Sequence, residues 1–173
     1  MFHFLIPVFE RLDRAGRFIE TFLLVTLFSA MMLLAVGQIV LREVFSTGFV
    51  WADELIKLMV LWLAMVGAVA AARDNRHIRI DAFTHIFPRM AVQLTRVAVD
   101  VFAALVSAVV AWHAWRYLQV EIEYADTVLV NVPAWVAHSV LPAAFLLISF
   151  RFLVLASKQV VAIIVGLPAE RDE

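Results

Sequence analysis

Charged residues that border the long apolar stretches are the residues of this sequence most able to do chemistry. Asp53, Glu54 and Lys57 lie together at the start of one such stretch, at spacings of three and four residues. On a helix, these spacings would let either carboxylate meet the ammonium. Two interpretations follow: a gate or cation site, or solvated charges at a helix start, where the helix dipole favours the carboxylates.

Asp100 and Arg151 lie inside two later apolar stretches, near their ends. An ionisable residue within a bilayer is costly and by default suggests function. The two side chains could form an interhelical pair or contact another subunit. Alternatively, Arg96, one helical turn before Asp100, satisfies the carboxylate, while Arg151 extends its head to water.

His113 and His138 fall near the same ends of consecutive apolar stretches. Two imidazoles can hold a haem iron, so a haem-bearing electron-transfer anchor is one hypothesis. Gln38 is more typical of a hydrogen bond to a neighbouring helix than of a substrate contact.

The sequence gives little support for disulfide, metal or catalytic chemistry. It has no cysteine, which excludes disulfides, thiolate metal sites and iron–sulfur clusters. No nucleophile stands beside a base, and there is no glycine-rich phosphate loop or cluster of metal ligands. The sequence therefore predicts that the protein is not an enzyme and has no catalytic, cofactor-binding or metal-binding residue of its own.

The composition is that of a membrane protein. Of the 173 residues, 64% are hydrophobic and 17% charged, against roughly 45–50% and about 25% in soluble domains. The formal net charge is −1, which leaves no basic excess for binding nucleic acid.

Four apolar stretches are long enough to cross a bilayer as helices. They predict an all-α integral membrane protein with one transmembrane domain, 1–173, whose spans cover roughly 20–42, 52–72, 96–116 and 133–153. The first stretch exceeds the apolar part of a secretory signal, so we expect an uncleaved anchor.

The distribution of Lys and Arg predicts the orientation. One side of the four spans holds eleven of the fourteen basic residues, which places both termini in the cytoplasm. Four of the five tryptophans then fall at the exterior ends of spans, where this residue is enriched: Trp51, Trp112, Trp115 and Trp135.

The cytoplasmic connection between the second and third spans predicts a short amphipathic helix in the headgroup layer. Its apolar residues recur at helical spacing up to Pro88, and they are Ile78, Ala82, Phe83, Ile86 and Phe87. Its charged residues could dock a partner loop or anchor the chain beside anionic lipid; they are Arg73, Asp74, Arg76, His77, Arg79 and Asp81.

Small residues form close-packing faces on two of the spans. They are Ala103, Ala104, Ser107, Ala108 and Ala111 in the third span, and Gly67 and Ala71 in the second. These faces predict one compact bundle, whose remaining apolar sides could meet lipid or a large apolar partner.

The run from Leu41 to Asp81, LREVFSTGFVWADELIKLMVLWLAMVGAVAAARDNRHIRID, resembles the small membrane subunit of tripartite ATP-independent periplasmic (TRAP) transporters, the DctQ-type family. The second span opens with an aromatic, small and acidic group and closes with an arginine before a His-Ile-Arg-x-Asp string. In this sequence these are Trp51, Ala52, Asp53 and Glu54, then Arg73, His77, Ile78, Arg79 and Asp81. A weaker match continues through Val132, Pro133, Ala134, Trp135 and Pro142.

The resemblance implies a multi-pass protein of the bacterial inner membrane that pairs with a much larger multi-span subunit. A soluble periplasmic protein would deliver an organic acid to the pair, and the large subunit would hold the substrate and sodium sites. The small subunit would then be a scaffold, with candidate interface or anchoring residues Trp51, Asp53, Glu54, Arg73, His77, Arg79, Asp81, Asp100 and Arg151. Besides the haem protein, a small self-sufficient exporter stays an alternative, with Asp100 as its proton-exchanging carboxylate.

Overall fold

The computed structural model describes residues 5–74, 89–129 and 131–165. Helices make up most of this part of the chain, and their bounds are α1 Leu5–Phe45, α2 Ala52–Asp74, α3 Arg89–Tyr124, α4 Ala134–His138 and α5 Val140–Val165. A two-stranded antiparallel hairpin, β1 Thr127–Val128 and β2 Val132–Pro133, connects α3 to α4.

The prediction of an all-α protein with four membrane spans is confirmed. Within the described residues, four helical segments are long and apolar enough to cross a bilayer, namely Gly16–Phe45, Ala52–Ala72, Met90–Tyr124 and Ala134–Ile164. The first, third and fourth segments are longer than the predicted spans. A helix can continue past the apolar stretch where its flanking charged side chains reach the headgroups or bond to other protein groups. The expected interfacial helix, with His77, Arg79 and Asp81, lies outside the described residues, and Arg73 falls in the last turn of α2.

The two connections at the predicted exterior end each begin at a left-handed residue just past a helix end. Ala125, with φ of 52°, follows α3. Its own N–H and that of Asp126 donate to the carbonyls of Ile122 and Glu121, the paired bonds of a Schellman motif. Ser46, with φ of 50°, ends α1 in the same conformation. These turns direct the chain from α1 to α2 and from α3 into the hairpin.

The long helices pack side by side in the order α1, α2, α5, α3, with extensive contact between neighbours in this row. The prediction of a compact bundle is wrong in this respect, since over the described residues α1 and α3 occupy opposite ends of the row. The hydrophobic core lies between α2 and α5, around Val69, Ala72, Ala144 and Ile148.

Close backbone approach, rather than large side chains, holds the row together. Eight of the eleven hydrophobic residues buried in the described part of the chain are alanines, which let helices approach closely. Ala104 and Ala111 are buried as predicted, whereas Ala71 and Ala108 are exposed. Many large apolar side chains therefore face outward, including Leu33, Phe102 and Ile164.

Candidate anchoring and partner-binding sites

A polar cluster near the predicted cytoplasmic end joins three helices, and we name it the inner tie. Arg151 on α5 forms an ion pair with Glu20 on α1 and donates to the backbone carbonyl of Val69 on α2. The side chains of Arg151 and Glu20 are 22% and 12% exposed. Because α2 separates α1 from α5 in the row, the inner tie joins helices that are not neighbours.

The structure corrects the expected partner of Arg151. Asp100 is buried on α3 and accepts a hydrogen bond of 2.8 Å from the amide of Gln159 on α5. Arg151 pairs with Glu20 instead of Asp100, and its head does not simply extend to water. Glu20 lies at the predicted start of the first span, 20–42, and this position does not indicate that its carboxylate bonds to another helix.

At the exterior end, Glu121 on α3 contacts α4. Its Oε1 lies 2.6 Å from Nδ1 of His138, and the ring of Tyr117 lies beside the same imidazole, with centroids 5.9 Å apart. Glu121 is only 4% exposed, and its second oxygen, Oε2, is buried and has no hydrogen-bond partner among the described residues. Glu121 lies beyond the predicted end of the third span at residue 116, but it falls in the last turn of α3, on the inner side of the helix.

Two further bonds connect α2 to this end of the protein. Oε2 of Glu54 accepts a bond of 2.9 Å from the N–H of Leu129 in the hairpin. The indole N–H of Trp62 donates to the carbonyl of Ala137 on α4, at 2.8 Å. We name the hairpin, α4 and these contacts the exterior cap. Its bonds place the hairpin and the start of α2 at the same end of the row, as the predicted topology requires.

The loop between α1 and α2 is held by Gln38. Its Nε2 donates to the carbonyl of Phe49 at 3.0 Å, and its Oε1 accepts from the Phe49 N–H at 3.3 Å. Gln38 thus binds the loop that follows its own helix, not the neighbouring helix that the sequence analysis predicted. The ring of Phe49 stacks on Trp51, with centroids 5.2 Å apart.

These contacts assign structural partners to several of the candidate residues. Glu54, Asp100 and Arg151 each bond to a group on another element. Asp53 and Trp51 are exposed at the start of α2. His113 is exposed on α3, whereas His138 bonds to a carboxylate. Within residues 5–74, 89–129 and 131–165, no three His, Cys, Asp or Glu side chains gather as a metal site.

The fold and its polar contacts define a class: a small four-span membrane protein whose intramembrane polar groups join its own helices. Residues 31–161 match the family described as tripartite ATP-independent periplasmic transporters, DctQ component. The chain belongs to this family, as its sequence motifs predicted. It is therefore a multi-pass protein of the inner membrane.

Three curated relatives share this similarity. The C4-dicarboxylate TRAP transporter small permease protein DctQ of Vibrio cholerae is 25% identical over 99% of this chain and 86% of its own length. The sialic acid TRAP transporter permease protein SiaT of Haemophilus influenzae is 36% identical over 36% of this chain, which is 10% of its own length. The isethionate TRAP transporter permease protein DctMQ of Oleidesulfovibrio alaskensis is 26% identical over 60% of this chain and 16% of its length.

Proposed function

We propose that this chain is a non-catalytic small permease subunit that scaffolds a large multi-span membrane subunit of a secondary uptake system. The observation that carries the proposal is the open row of helices. Among the described residues, its buried apolar side chains are mostly those of alanine, while many of its large apolar side chains are exposed. A surface of this kind suits close contact with another apolar protein as well as with lipid.

The longer relatives support a large partner. In SiaT and DctMQ, both named as permease proteins, the segment similar to this chain makes up 10% and 16% of the polypeptide. This chain is thus similar to a minor part of a much longer membrane protein in both relatives. We infer that this chain associates with a separate protein that corresponds to the remainder.

The polar contacts within the spans favour a scaffold over a solute carrier. Arg151 bonds to Glu20 and Val69, and Asp100 bonds to Gln159. Groups that already bond to protein would have to give up these partners to bind an anion or a cation. The solute and sodium sites are therefore assigned to the large subunit, and this chain is proposed to hold no cofactor.

The substrate class is proposed to be a small organic acid taken up with sodium. The names of the relatives mention C4-dicarboxylate, sialic acid and isethionate, all of them organic anions. A periplasmic substrate-binding protein is proposed to meet the assembled complex at its exterior end, where the exterior cap supplies a firmly bonded surface.

The candidate residues take proposed roles in this assembly. Trp51 and Asp53 would anchor the start of α2 at the interface, and Glu54 would hold the exterior cap. Asp100 and Arg151 would fix the row that the partner contacts. Arg73, His77, Arg79 and Asp81 are proposed to anchor the chain at the cytoplasmic surface or to contact the large subunit.

Co-purification and transport together test the proposal. The tagged chain, isolated from native membranes in mild detergent, should bring down one large multi-span protein in a fixed ratio. Proteoliposomes of the pair, supplied with a binding protein, should accumulate an organic acid under a sodium gradient, and the chain alone should neither bind nor accumulate it. Binding or uptake by the chain alone would contradict the proposal, as would a Soret band that is lost on replacing His113 or His138.

The role of the candidate residues can be tested in the same pair. Glu54→Gln should lower the yield of the complex without changing the substrate affinity of the complex that does form. Glu43→Gln, a matched change at an exposed carboxylate near the same end, should leave the yield unchanged. An altered affinity with normal assembly would contradict the scaffold role.

A further inference from the structure

A polar pocket of about 330 Å³ lies at the exterior end, between the end of α1 and the start of α2. Its polar lining includes Gln38, Arg42, Ser46, Thr47 and Asp53. It is separate from the inner tie and from the contacts of the exterior cap. Neither the scaffold role nor the family assignment accounts for it.

Specific hydrogen bonds and close packing form the walls of the pocket. Both polar atoms of the Gln38 amide bond to the backbone of Phe49, which fixes the loop over the end of α1. A Cβ atom at Gly48 would lie 3.1 Å from Nε2 of Gln38 and 3.2 Å from Cγ of Arg42. The missing side chain of Gly48 thus lets the stem of Arg42 pass close to the loop.

The pocket holds one positive and one negative side chain. Arg42 and Asp53 both line it and are both exposed. Among the described side chains, no ion pair joins Arg42 to Asp53, so neither charge is bonded to the other. A ligand with an anionic and a cationic group would match this pair of charges.

The surroundings place the pocket at the membrane surface. It lies just past the end of the segment Gly16–Phe45 and next to the start of Ala52–Ala72, both long enough to span the bilayer. The stacked rings of Phe49 and Trp51 lie in the same loop, and tryptophan is enriched at the headgroup level. Phe45 and Val50 are also exposed there, where acyl chains would begin.

We propose that this pocket binds the phosphoethanolamine headgroup of a phospholipid in the outer leaflet of the inner membrane. The guanidinium of Arg42, with the hydroxyls of Ser46 and Thr47, would donate to the phosphate. The carboxylate of Asp53 would accept hydrogen bonds from the primary ammonium. A bound lipid would hold the α1–α2 loop at the surface of the bilayer.

The pairing of Arg42 with the phosphate and of Asp53 with the ammonium predicts selectivity among lipids. Phosphatidylcholine carries a phosphate, but its quaternary ammonium has no N–H to donate to Asp53. Phosphatidylglycerol carries a phosphate and no cation. Both should bind more weakly than phosphatidylethanolamine with the same acyl chains.

Native mass spectrometry of the full chain, purified in detergent together with any partner it retains, tests the proposal. Wild-type protein should retain phosphatidylethanolamine in preference to the other two lipids. Arg42→Gln should weaken retention of all three by about 10-fold or more, the scale of one charge-assisted hydrogen bond. Asp53→Asn should lower retention of phosphatidylethanolamine to the level of phosphatidylcholine.

Matched controls make the result decisive. Arg116→Gln and Glu43→Gln change exposed charges near the same end that do not line the pocket, and both should retain lipid as the wild type does. Thr47→Val, a change in an exposed loop side chain, should lower retention about 2-fold, the scale of a neutral hydrogen bond. Unchanged retention in Arg42→Gln and Asp53→Asn, or equal losses in the controls, would overturn the proposal. Competition by soluble phosphoethanolamine at the same concentration as the lipid would overturn the assignment to a lipid.

Discussion

Arg151 on α5 and Glu20 on α1 form an ion pair across the row of helices, although α2 separates their two elements. The same guanidinium also donates to the carbonyl of Val69 on α2. One side chain therefore fixes three helices near the predicted cytoplasmic end. Without it, α1 would be held mainly by its apolar contacts with α2.

Breaking this pair from one side should destabilise the protein more than removing both charges. Glu20→Gln or Arg151→Met alone removes the ion pair but keeps one of its two partly buried charges. We expect each to lower the free energy of unfolding by about 2 kcal/mol, below the range for fully buried pairs because both side chains are partly exposed. The double variant should lose less free energy of unfolding than either single variant.

Unfolding in mixed detergent micelles, followed by circular dichroism, measures these differences. Lys158→Gln provides the control, since it removes an exposed cation from the same helix. If the two single variants unfold like Lys158→Gln, the inner tie contributes nothing to stability.

Glu121 and Glu123 should respond differently to the same substitution. Glu121 is buried and contacts His138 at 2.6 Å, whereas Glu123 is exposed two residues later. Glu121→Gln keeps the shape but removes the charged acceptor, so we expect a loss of about 1.5 kcal/mol in unfolding free energy. Glu123→Gln should change it by less than about 0.5 kcal/mol.

A double-mutant cycle with His138→Ala attributes this loss to the contact. The effect of Glu121→Gln should shrink when His138 is already absent. Equal effects in the presence and absence of the imidazole would show that Glu121 acts through another group.

The four spans could be predicted from the sequence because lipid demands long, apolar, fully hydrogen-bonded segments. The start of α2 at Ala52 agrees with the predicted limit of the second span, because the apolar run reaches membrane length only when it is extended back to this residue. Helix ends in water are less constrained by composition. The ends of α1 and α3 accordingly lie beyond the predicted limits.

The partners of the polar residues could not be predicted in the same way. Arg151 has several carboxylates within reach in principle, and only the order of the helices selects Glu20 over Asp100. That order depends on small packing differences among helices of similar composition. The hairpin was missed because strands of two residues are too short to show an alternating pattern.

Gln38 should control the exchange of the backbone amide of Phe49. Gln38→Leu removes both bonds to the loop while nearly preserving side-chain volume. Hydrogen exchange at the Phe49 amide should rise about 5-fold, as expected for the loss of a bond worth about 1 kcal/mol. Gln119→Leu, a matched change at an exposed site on α3, should leave it unaltered. Equal protection of this amide in Gln38→Leu and in the wild type would mean that other contacts fix the loop.

Glu54 and Asp53 are adjacent carboxylates that should act on different parts of the exterior end. Glu54 accepts a 2.9 Å bond from the N–H of Leu129, a residue with φ of 50° in the hairpin. Left-handed backbone at a non-glycine residue costs about 1 kcal/mol or more and persists only where its surroundings hold it. Glu54→Ala should therefore speed hydrogen exchange at Leu129 by about 10-fold, since the bond has a charged acceptor. Asp53→Ala should leave the Leu129 amide protected and alter only lipid retention. Faster exchange at Leu129 in both variants would show that both substitutions act merely by weakening the start of α2.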